Sequence, residues 1–130
     1  MKLLLDTHAW HWSAVDDARL SKPARALIDD SDNELVLSAI SLWEFRIHVR
    51  RGRIVVDGEP NAWIRQSLAE MSITVLPITG EIAMQSEDLD GFGNNDPADR
   101  FIVATALLHG LALITADGVI QAWPRVRAVW

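Results

Sequence analysis

The sequence contains no cysteine, and only two of its 130 residues are lysine. Without cysteine the chain has no disulfide, no thiolate metal ligand and no thiol nucleophile. We therefore expect a reducing, cytoplasmic setting. The longest apolar runs, such as residues 111–114, are far shorter than the ~20 residues that cross a membrane. The run of leucines at residues 3–5 stops at Asp6, so we expect no secretory signal, which needs ~7–15 apolar residues.

Positive charge is also scarce, because 18 acidic residues outnumber 12 basic ones and give a net charge of −6. A protein that coats DNA nonspecifically would have a basic surface, so this class is disfavoured. An enzyme that acts on nucleic acid through metal ions is compatible with the charge, since its site is built of carboxylates. The apolar content of 49% excludes overall disorder. We expect a single domain over residues 1–130.

Short apolar segments alternate with helical patterns along the chain. The predicted strands cover residues 2–6, 34–38, 73–77, 111–115 and 126–129. The predicted helices cover residues 21–31, 41–51, 60–71, 79–87, 96–110 and 119–122. Such alternation is typical of βαβ units, with a parallel sheet and right-handed crossovers. Because the strands are almost uniformly apolar, both faces of the sheet should be covered, giving a three-layer α/β/α fold. The pattern leaves the strand order open.

Five carboxylates are expected at one edge of this sheet. Asp6 ends the first strand, Asp117 follows the fourth, Glu44 lies early in the helix after the second, and Asp96 and Asp99 begin a helix. Ligands of open parallel sheets bind at the carboxyl ends of the strands. Each acid also has an ordinary explanation, as a turn residue, a helix cap or, for Glu44, half of a capping box with Ser41.

Those ordinary explanations do not account for five acids at one edge. Clustered carboxylates repel each other and raise each other's pKa. A hard divalent cation removes that cost, and Mg²⁺ and Mn²⁺ prefer oxygen ligands. Metal held by carboxylates suits phosphoryl chemistry, because the ion activates water and neutralises charge on the phosphate. Thr7 and Thr115 flank the acids, where they either orient a ligand carboxylate or are simple strand-end hydroxyls.

Four segments, at residues 3–8, 37–44, 96–106 and 113–117, together resemble PIN-domain ribonucleases, and most of all the VapC-like toxins of type II toxin–antitoxin modules. The resemblance covers nearly the whole chain. It implies a five-stranded sheet of order 3-2-1-4-5, which would place Asp6 beside Asp117. It also implies metal-dependent RNA hydrolysis with Mg²⁺ or Mn²⁺, a small cognate antitoxin and a homodimer. The implied catalytic and metal-binding residues are Asp6, Glu44, Asp99 and Asp117.

Other residues are assigned around this quartet. Asp96 is expected to cap its helix or to contact the metal ligands without itself binding the ion. Arg46 and Arg50 share a helix face at i, i+4 spacing, so they either contact RNA or the antitoxin or form a solvated face. Arg100 is expected to contact phosphate or to form an ion pair. Asn94 and Asn95 stand where related sequences often carry a basic residue or histidine, which leaves open the role of this loop in substrate contact.

The aromatic residues allow two interpretations. Trp43 and Trp63 lie on predicted helices and are expected in the core. Trp10 and Trp12 either line a groove for base stacking or antitoxin binding, or pack a short helix against the sheet. His8 and His11 are expected to be structural hydrogen-bonding residues.

Three other functional classes share some of these features. Haloacid-dehalogenase-like phosphatases need a second aspartate two residues after the first, where this chain has His8, and a downstream lysine that it lacks. Receiver domains are disfavoured by the same lack of lysine. A PIN fold kept only as a catalytically silent binding module remains the main alternative, although all four acids are present.

Overall fold

The computed structural model describes residues 1–130 and contains one five-stranded parallel sheet. Its strands are β1 (Lys2–Leu5), β2 (Glu34–Ser38), β3 (Thr74–Leu76), β4 (Ala112–Ile114) and β5 (Ala128–Val129). The strand order is β3-β2-β1-β4-β5, as the resemblance implied. In the register, Leu5 lies between Leu37 on one side and Ile114 on the other. The carboxyl ends of β1 and β4 are therefore neighbours.

Seven helices surround the sheet: α1 (Thr7–Ala14), α2 (Lys22–Asp29), α3 (Ala39–Arg50), α4 (Pro60–Glu70), α5 (Gly80–Gln85), α6 (Pro97–His109) and α7 (Gly118–Ala122). Side chains alternate between the two faces of a strand. Leu3 and Leu5 accordingly join a core with residues of α1 to α4, whereas Leu4 joins a second core with residues of α6 and α7. The predicted three-layer α/β/α architecture is confirmed.

Helix α1, which the sequence analysis offered only as one interpretation of Trp10 and Trp12, begins immediately after β1. Asp6 is its N-cap and accepts a hydrogen bond from the Thr7 amide. The side chain of Trp10 is fully buried against this face of the sheet, and its indole nitrogen donates to Ser67 Oγ at 2.9 Å. The segment lacks a clear amphipathic period, so its sequence alone does not predict a helix. The burial of Trp10 against the sheet stabilises α1 instead.

Helix α3 begins two residues earlier than predicted, which excludes the capping-box explanation of Glu44. Ser38 is the N-cap, with Oγ accepting from the Ile40 amide at 3.1 Å. Ser41 is instead fully buried and accepts a hydrogen bond from the Thr7 hydroxyl at 2.8 Å. Glu44 is therefore not needed to cap the helix, and its carboxylate is available for another role.

Helix α6 has the predicted ends. Asp96 is the N-cap, Pro97 is the first helical residue, and Gly110 closes the helix with a left-handed φ of 63°.

The prediction that Trp43 lies in the core is wrong, because 53% of this residue is exposed on α3. Trp63 is half-buried and stacks on Phe45 with ring centroids 4.8 Å apart. None of the helices has the length and apolar character needed to cross a membrane.

Candidate active site

A cleft of about 410 Å³ opens at the carboxyl edge of β1 and β4. It is lined by all five carboxylates that the sequence places at this edge: Asp6, Glu44, Asp96, Asp99 and Asp117. His8, Trp12, His48 and Ala116 complete its walls. The parallel topology explains this convergence, because the carboxyl ends of β1 and β4 and the N-terminal parts of α3 and α6 bring segments distant in the chain to one edge.

Asp6 is the most deeply placed of these acids. Its Oδ1 accepts from the Thr7 amide at 2.8 Å, and its Oδ2 accepts from Thr115 Oγ1 at 2.7 Å. Burial raises the pKa of Asp6; the Thr115 hydrogen bond opposes this increase, and the negative charge of Glu44 adds to it. The structure thus holds Asp6 in one orientation while disfavouring its isolated charge.

Thr115 links Asp6 to Asp117. Its hydroxyl oxygen accepts a hydrogen bond from the Asp117 amide at 3.0 Å while the same hydroxyl donates to Asp6. Asp117 caps α7, with Oδ1 accepting from the Val119 and Ile120 amides at 2.8 and 3.1 Å. These contacts use one carboxylate oxygen of Asp117 and leave the other without a protein partner.

The tightest group of acids is Glu44, Asp96 and Asp99, which bring one carboxylate oxygen each within 4.8 Å of one another. Asp96 caps α6, as expected, through Oδ1 and the Ala98 amide, but it also belongs to this group. Burial raises the pKa of Asp99 to about 7, with further increases from the charges of Asp6 and Asp96. Burial also raises the pKa of Glu44, and the charge of Asp96 contributes.

Asn94, for which the sequence analysis left the role open, contacts the acids of the cleft. Its Nδ2 donates to Asp99 Oδ2 at 2.7 Å, and its Oδ1 accepts from the Asp96 amide at 2.8 Å. The second bond spans two residues, the spacing of an Asx turn, and that spacing was the available signal. Asn94 therefore connects the loop before α6 to a carboxylate of the cleft.

Arg100 stabilises the same loop from the other side. Its Nε donates to the Ser86 carbonyl at 2.8 Å, and its Nη1 donates to the Asn94 carbonyl at 2.9 Å. It takes part in none of the three ion pairs of the structure. These contacts show that Arg100 holds the loop before α6 in place. Contact of Arg100 with phosphate stays a prediction.

Arg46 and Arg50 lie outside the acidic cleft. Arg46 Nη1 donates to Asn61 Oδ1 at 2.6 Å and lines a separate groove of about 420 Å³ between α3 and α4. Arg50 is exposed as the last residue of α3. His11 also lies outside the cleft and packs edge-on against Phe45. The hydrogen-bonding role expected for His11 is not observed, since its buried Nδ1 has no partner.

The carboxylates fit a divalent ion of the magnesium type. The group of Glu44, Asp96 and Asp99 offers three oxygens from two helices, and Asp6 and Asp117 face the same cleft. Burial, with a smaller contribution from neighbouring acids, raises the pKa values of Asp6, Glu44 and Asp99, and none of the three forms an ion pair with arginine or lysine. All the ligands are oxygen atoms, which Mg²⁺ and Mn²⁺ prefer.

The sequence matches the PIN domain family over residues 3–125. The chain belongs to this family, whose sheet order and clustered acids the structure contains. It is 37% identical over 130 residues to Ribonuclease VapC22 of Mycobacterium tuberculosis (strain ATCC 25618 / H37Rv), with 98% of each protein covered.

Two solved structures illustrate how widely this fold is shared. VapBC2 from Rickettsia felis, solved bound to a DNA fragment from its promoter, aligns with a TM-score of 0.72 at 13% identity, covering 99% of this chain and 98% of that one. Mycobacterium tuberculosis VapC20, described as a sarcin-ricin loop cleaving toxin, aligns with a TM-score of 0.68 at 20% identity, covering 96% and 97%. At such identities the likeness concerns the fold alone.

Proposed function

We propose that this chain is a divalent-metal-dependent endoribonuclease and the toxin of a toxin–antitoxin pair. The observation that carries the proposal is the convergence of five carboxylates, from β1, α3, α6 and the segment after β4, in one cleft. The 37% identity to a ribonuclease over nearly the full length supports the reaction type. A silent binding module has no need to hold unpaired acids at raised pKa.

The metal ligands in this proposal are Asp6, Glu44, Asp99 and Asp117. Asp96 joins them because its carboxylate lies with Glu44 and Asp99. When bound, Mg²⁺ or Mn²⁺ would supply a water of lowered pKa and neutralise charge on the phosphodiester.

The chain itself contributes orientation. Thr115 and the Thr7 amide fix both oxygens of Asp6, and Asn94 fixes one oxygen of Asp99. Thr7 contributes a second contact through Ser41 on α3, the helix that carries Glu44. Ligands held in this way need little rearrangement when the substrate binds, which is the advantage of a preorganised site.

The test is cleavage of a transcribed, structured RNA in buffer with Mg²⁺ or Mn²⁺. Asp6→Asn should abolish cleavage while its circular dichroism spectrum stays native. Asp57→Asn is the matched control, because Asp57 is exposed and makes no side-chain hydrogen bond. Undiminished cleavage by Asp6→Asn, or undiminished cleavage by the unchanged protein in excess EDTA, would refute the proposal.

We propose that the antitoxin docks in the groove between α3 and α4. Leu42, Trp43, Ile64 and Leu68 line it, with Arg46 and Arg65 beside them. An apolar groove with two arginines suits an amphipathic, acidic helical segment. Several proteins with this fold were solved as toxin–antitoxin complexes, including one from Klebsiella pneumoniae.

Co-purification with the product of an adjacent small reading frame tests this docking site. Trp43→Ala should weaken the complex, because Trp43 is 53% exposed in the groove. Leu108→Ala is the control, since Leu108 is 46% exposed on α6, outside the groove. Equal retention of both variants would contradict the assignment.

We also propose that the chain forms a homodimer. Exposed apolar side chains on and near α5 and α7, namely Ile78, Met84 and Val119, offer apolar surface for such a contact. Light scattering on the purified protein measures the mass directly, and a monomer at micromolar concentration would contradict the proposal.

A further inference from the structure

One wall of the acidic cleft is a row of three rings, formed by His48, His8 and Trp12, which we name the aromatic row. The centroids of His48 and His8 are 5.5 Å apart, and those of His8 and Trp12 are also 5.5 Å apart. All three residues line the cleft together with the carboxylates. Their ring planes are tilted by 51° and 48° to one another, so the row offers separate ring faces and edges beside the acids.

Contacts with Arg19 and Trp130 hold Trp12, one end of the row, in place. The Arg19 guanidinium lies 4.8 Å from the centre of the Trp12 ring, and Arg19 is in turn fixed by bonds of 3.1 and 2.8 Å to Asp17. Trp130 meets the Trp12 ring edge-on at 5.9 Å. These neighbours set the orientation of Trp12, while His8 stays exposed at the cleft.

The two imidazoles of the row have unused hydrogen-bonding capacity. Neither His8 nor His48 makes a side-chain hydrogen bond within the protein, and neither belongs to the tight group of carboxylates. A neutral imidazole can donate through one nitrogen and accept through the other. The row can thus offer both a stacking surface and polar edges to a planar heterocycle.

Basic residues flank the row, although the cleft itself is acidic. Arg19 lies against Trp12, and the charges of Arg51 and Arg53 act on His48. Arg51 and Arg53 are exposed and form no ion pair, so they remain available to phosphate groups. A nucleic acid strand crossing the carboxylates would meet positive charge on the side of the row.

We infer that the aromatic row is a nucleobase subsite, which contacts an unpaired base next to the phosphate held over the carboxylates. The inference rests on the proposed function and adds to it a contact with the base that flanks the cut. Unpaired bases stack on aromatic side chains and expose their edges to polar groups, whereas paired bases cannot reach a wall of this kind. The row thereby selects the nucleotide that flanks the cut.

The experiment uses a pool of roughly 20-nucleotide RNAs of random sequence, cleaved by the full chain with Mn²⁺. Initial rates give kcat and KM, and sequencing of the new ends gives the base preference around the cut. His48→Ala should raise KM about 10-fold, with kcat changed less than about 3-fold, and should flatten the preference at one flanking position. His48→Phe retains a ring and should keep KM near that of the unchanged protein.

Two further measurements separate a subsite from a structural role. His109→Ala is the matched control, because His109 is an exposed histidine at the distant end of α6. A second RNA carries an abasic nucleotide at the position where His48→Ala loses its base preference. The unchanged protein should have a higher KM for this RNA, whereas the KM of His48→Ala should not increase further. Thermal melting verifies folding, and His8→Ala, at an exposed residue of the row, provides a second variant should His48→Ala be unstable.

The outcomes distinguish the inference from the proposed function. If the unchanged protein cleaves with a base preference that neither His48→Ala nor His8→Ala alters, the subsite is overturned and the ribonuclease stands. An equal loss of kcat in His48→Ala and His48→Phe, without an effect on preference, would also overturn the subsite. Absence of cleavage by the unchanged protein overturns the proposed function and the subsite together.

Discussion

Thr115 donates a hydrogen bond of 2.7 Å to Asp6, across 109 residues of sequence. The two residues meet because β1 and β4 are neighbours in the sheet, with Leu5 paired to Ile114. The same hydroxyl accepts from the Asp117 amide. One threonine thus fixes the relative position of the acids that follow two strands.

Loss of this hydroxyl should weaken both the fold and the site. Thr115→Val leaves a buried carboxylate oxygen and the Asp117 amide without their partner, so we expect the free energy of unfolding to fall by about 1–3 kcal/mol. RNA cleavage should fall by roughly 10- to 100-fold. Urea unfolding and initial cleavage rates measure these effects. Thr115→Ser keeps the hydroxyl and should restore most of both; failure of this rescue would show that the methyl group matters instead.

Stability without divalent ions should decrease as the pH rises. Asp99 has its pKa raised to about 7 in the folded protein, whereas 3.8 is its ordinary value. The folded state therefore binds this proton more tightly than the unfolded state does, and the contribution to stability is lost between about pH 4 and about pH 7. Asp99→Asn removes the titration and should flatten this part of the melting-temperature profile. An identical profile for both proteins in EDTA would contradict the raised pKa.

Addition of Mn²⁺ should reverse that trend. The ion binds deprotonated carboxylates, so the increase in melting temperature should be larger near pH 8 than near pH 5. Differential scanning fluorimetry with a Mn²⁺ titration measures the shift. Asp99→Asn should show a much smaller shift, while the exposed-site variant Asp57→Asn should respond like the unchanged protein. A shift of equal size in all three proteins would indicate binding elsewhere.

Asn94 is expected to act as a positioning residue for Asp99. Asn94→Ala removes the 2.7 Å contact to the Asp99 carboxylate, so Mn²⁺ affinity measured by calorimetry should fall about 10-fold. Its neighbour Asn95 is exposed and makes no side-chain hydrogen bond, which makes Asn95→Ala a matched control. Comparable affinities in the two variants would mean that the loop, rather than the amide, positions Asp99.

The tryptophans should differ sharply in their effect on stability. Trp10→Ala creates a cavity in the core beneath α1 and should cost about 3–5 kcal/mol, since Trp10 is fully buried. Trp43→Ala should change the free energy of unfolding by less than about 0.5 kcal/mol, because more than half of Trp43 is exposed. Chemical denaturation measures both. A large fall in the free energy of unfolding for Trp43→Ala would mean that Trp43 packs against another molecule in solution.

Local sequence features were sufficient for the elements whose ends carry their own chemical signals. Helix α6 has Asp96 and Pro97 at its start and Gly110 at its end, and each signal acts within one turn. Helix α1 lacks such signals apart from Asp6, and its existence depends on the burial of Trp10 against residues of α4. For the same reason the exposure of Trp43 was not predictable from its position on a helix, because the sequence of one helix does not state which neighbour covers which face.

The candidate site divides along similar lines. The sequence pattern predicted that Asp6, Glu44, Asp96, Asp99 and Asp117 reach one edge, because parallel strands send their carboxyl ends to the same side of a sheet. The choice of four of them as site residues came from the family resemblance. The tertiary structure alone decided that Asp96 lies beside Glu44 and Asp99, that Asn94 holds Asp99, and that two histidines and a tryptophan line the same cleft. Residue types, hydrophobic patterns and helix-cap signals act over a few positions and can be read along the chain. Distances between side chains of different elements depend on packing, which no single segment encodes.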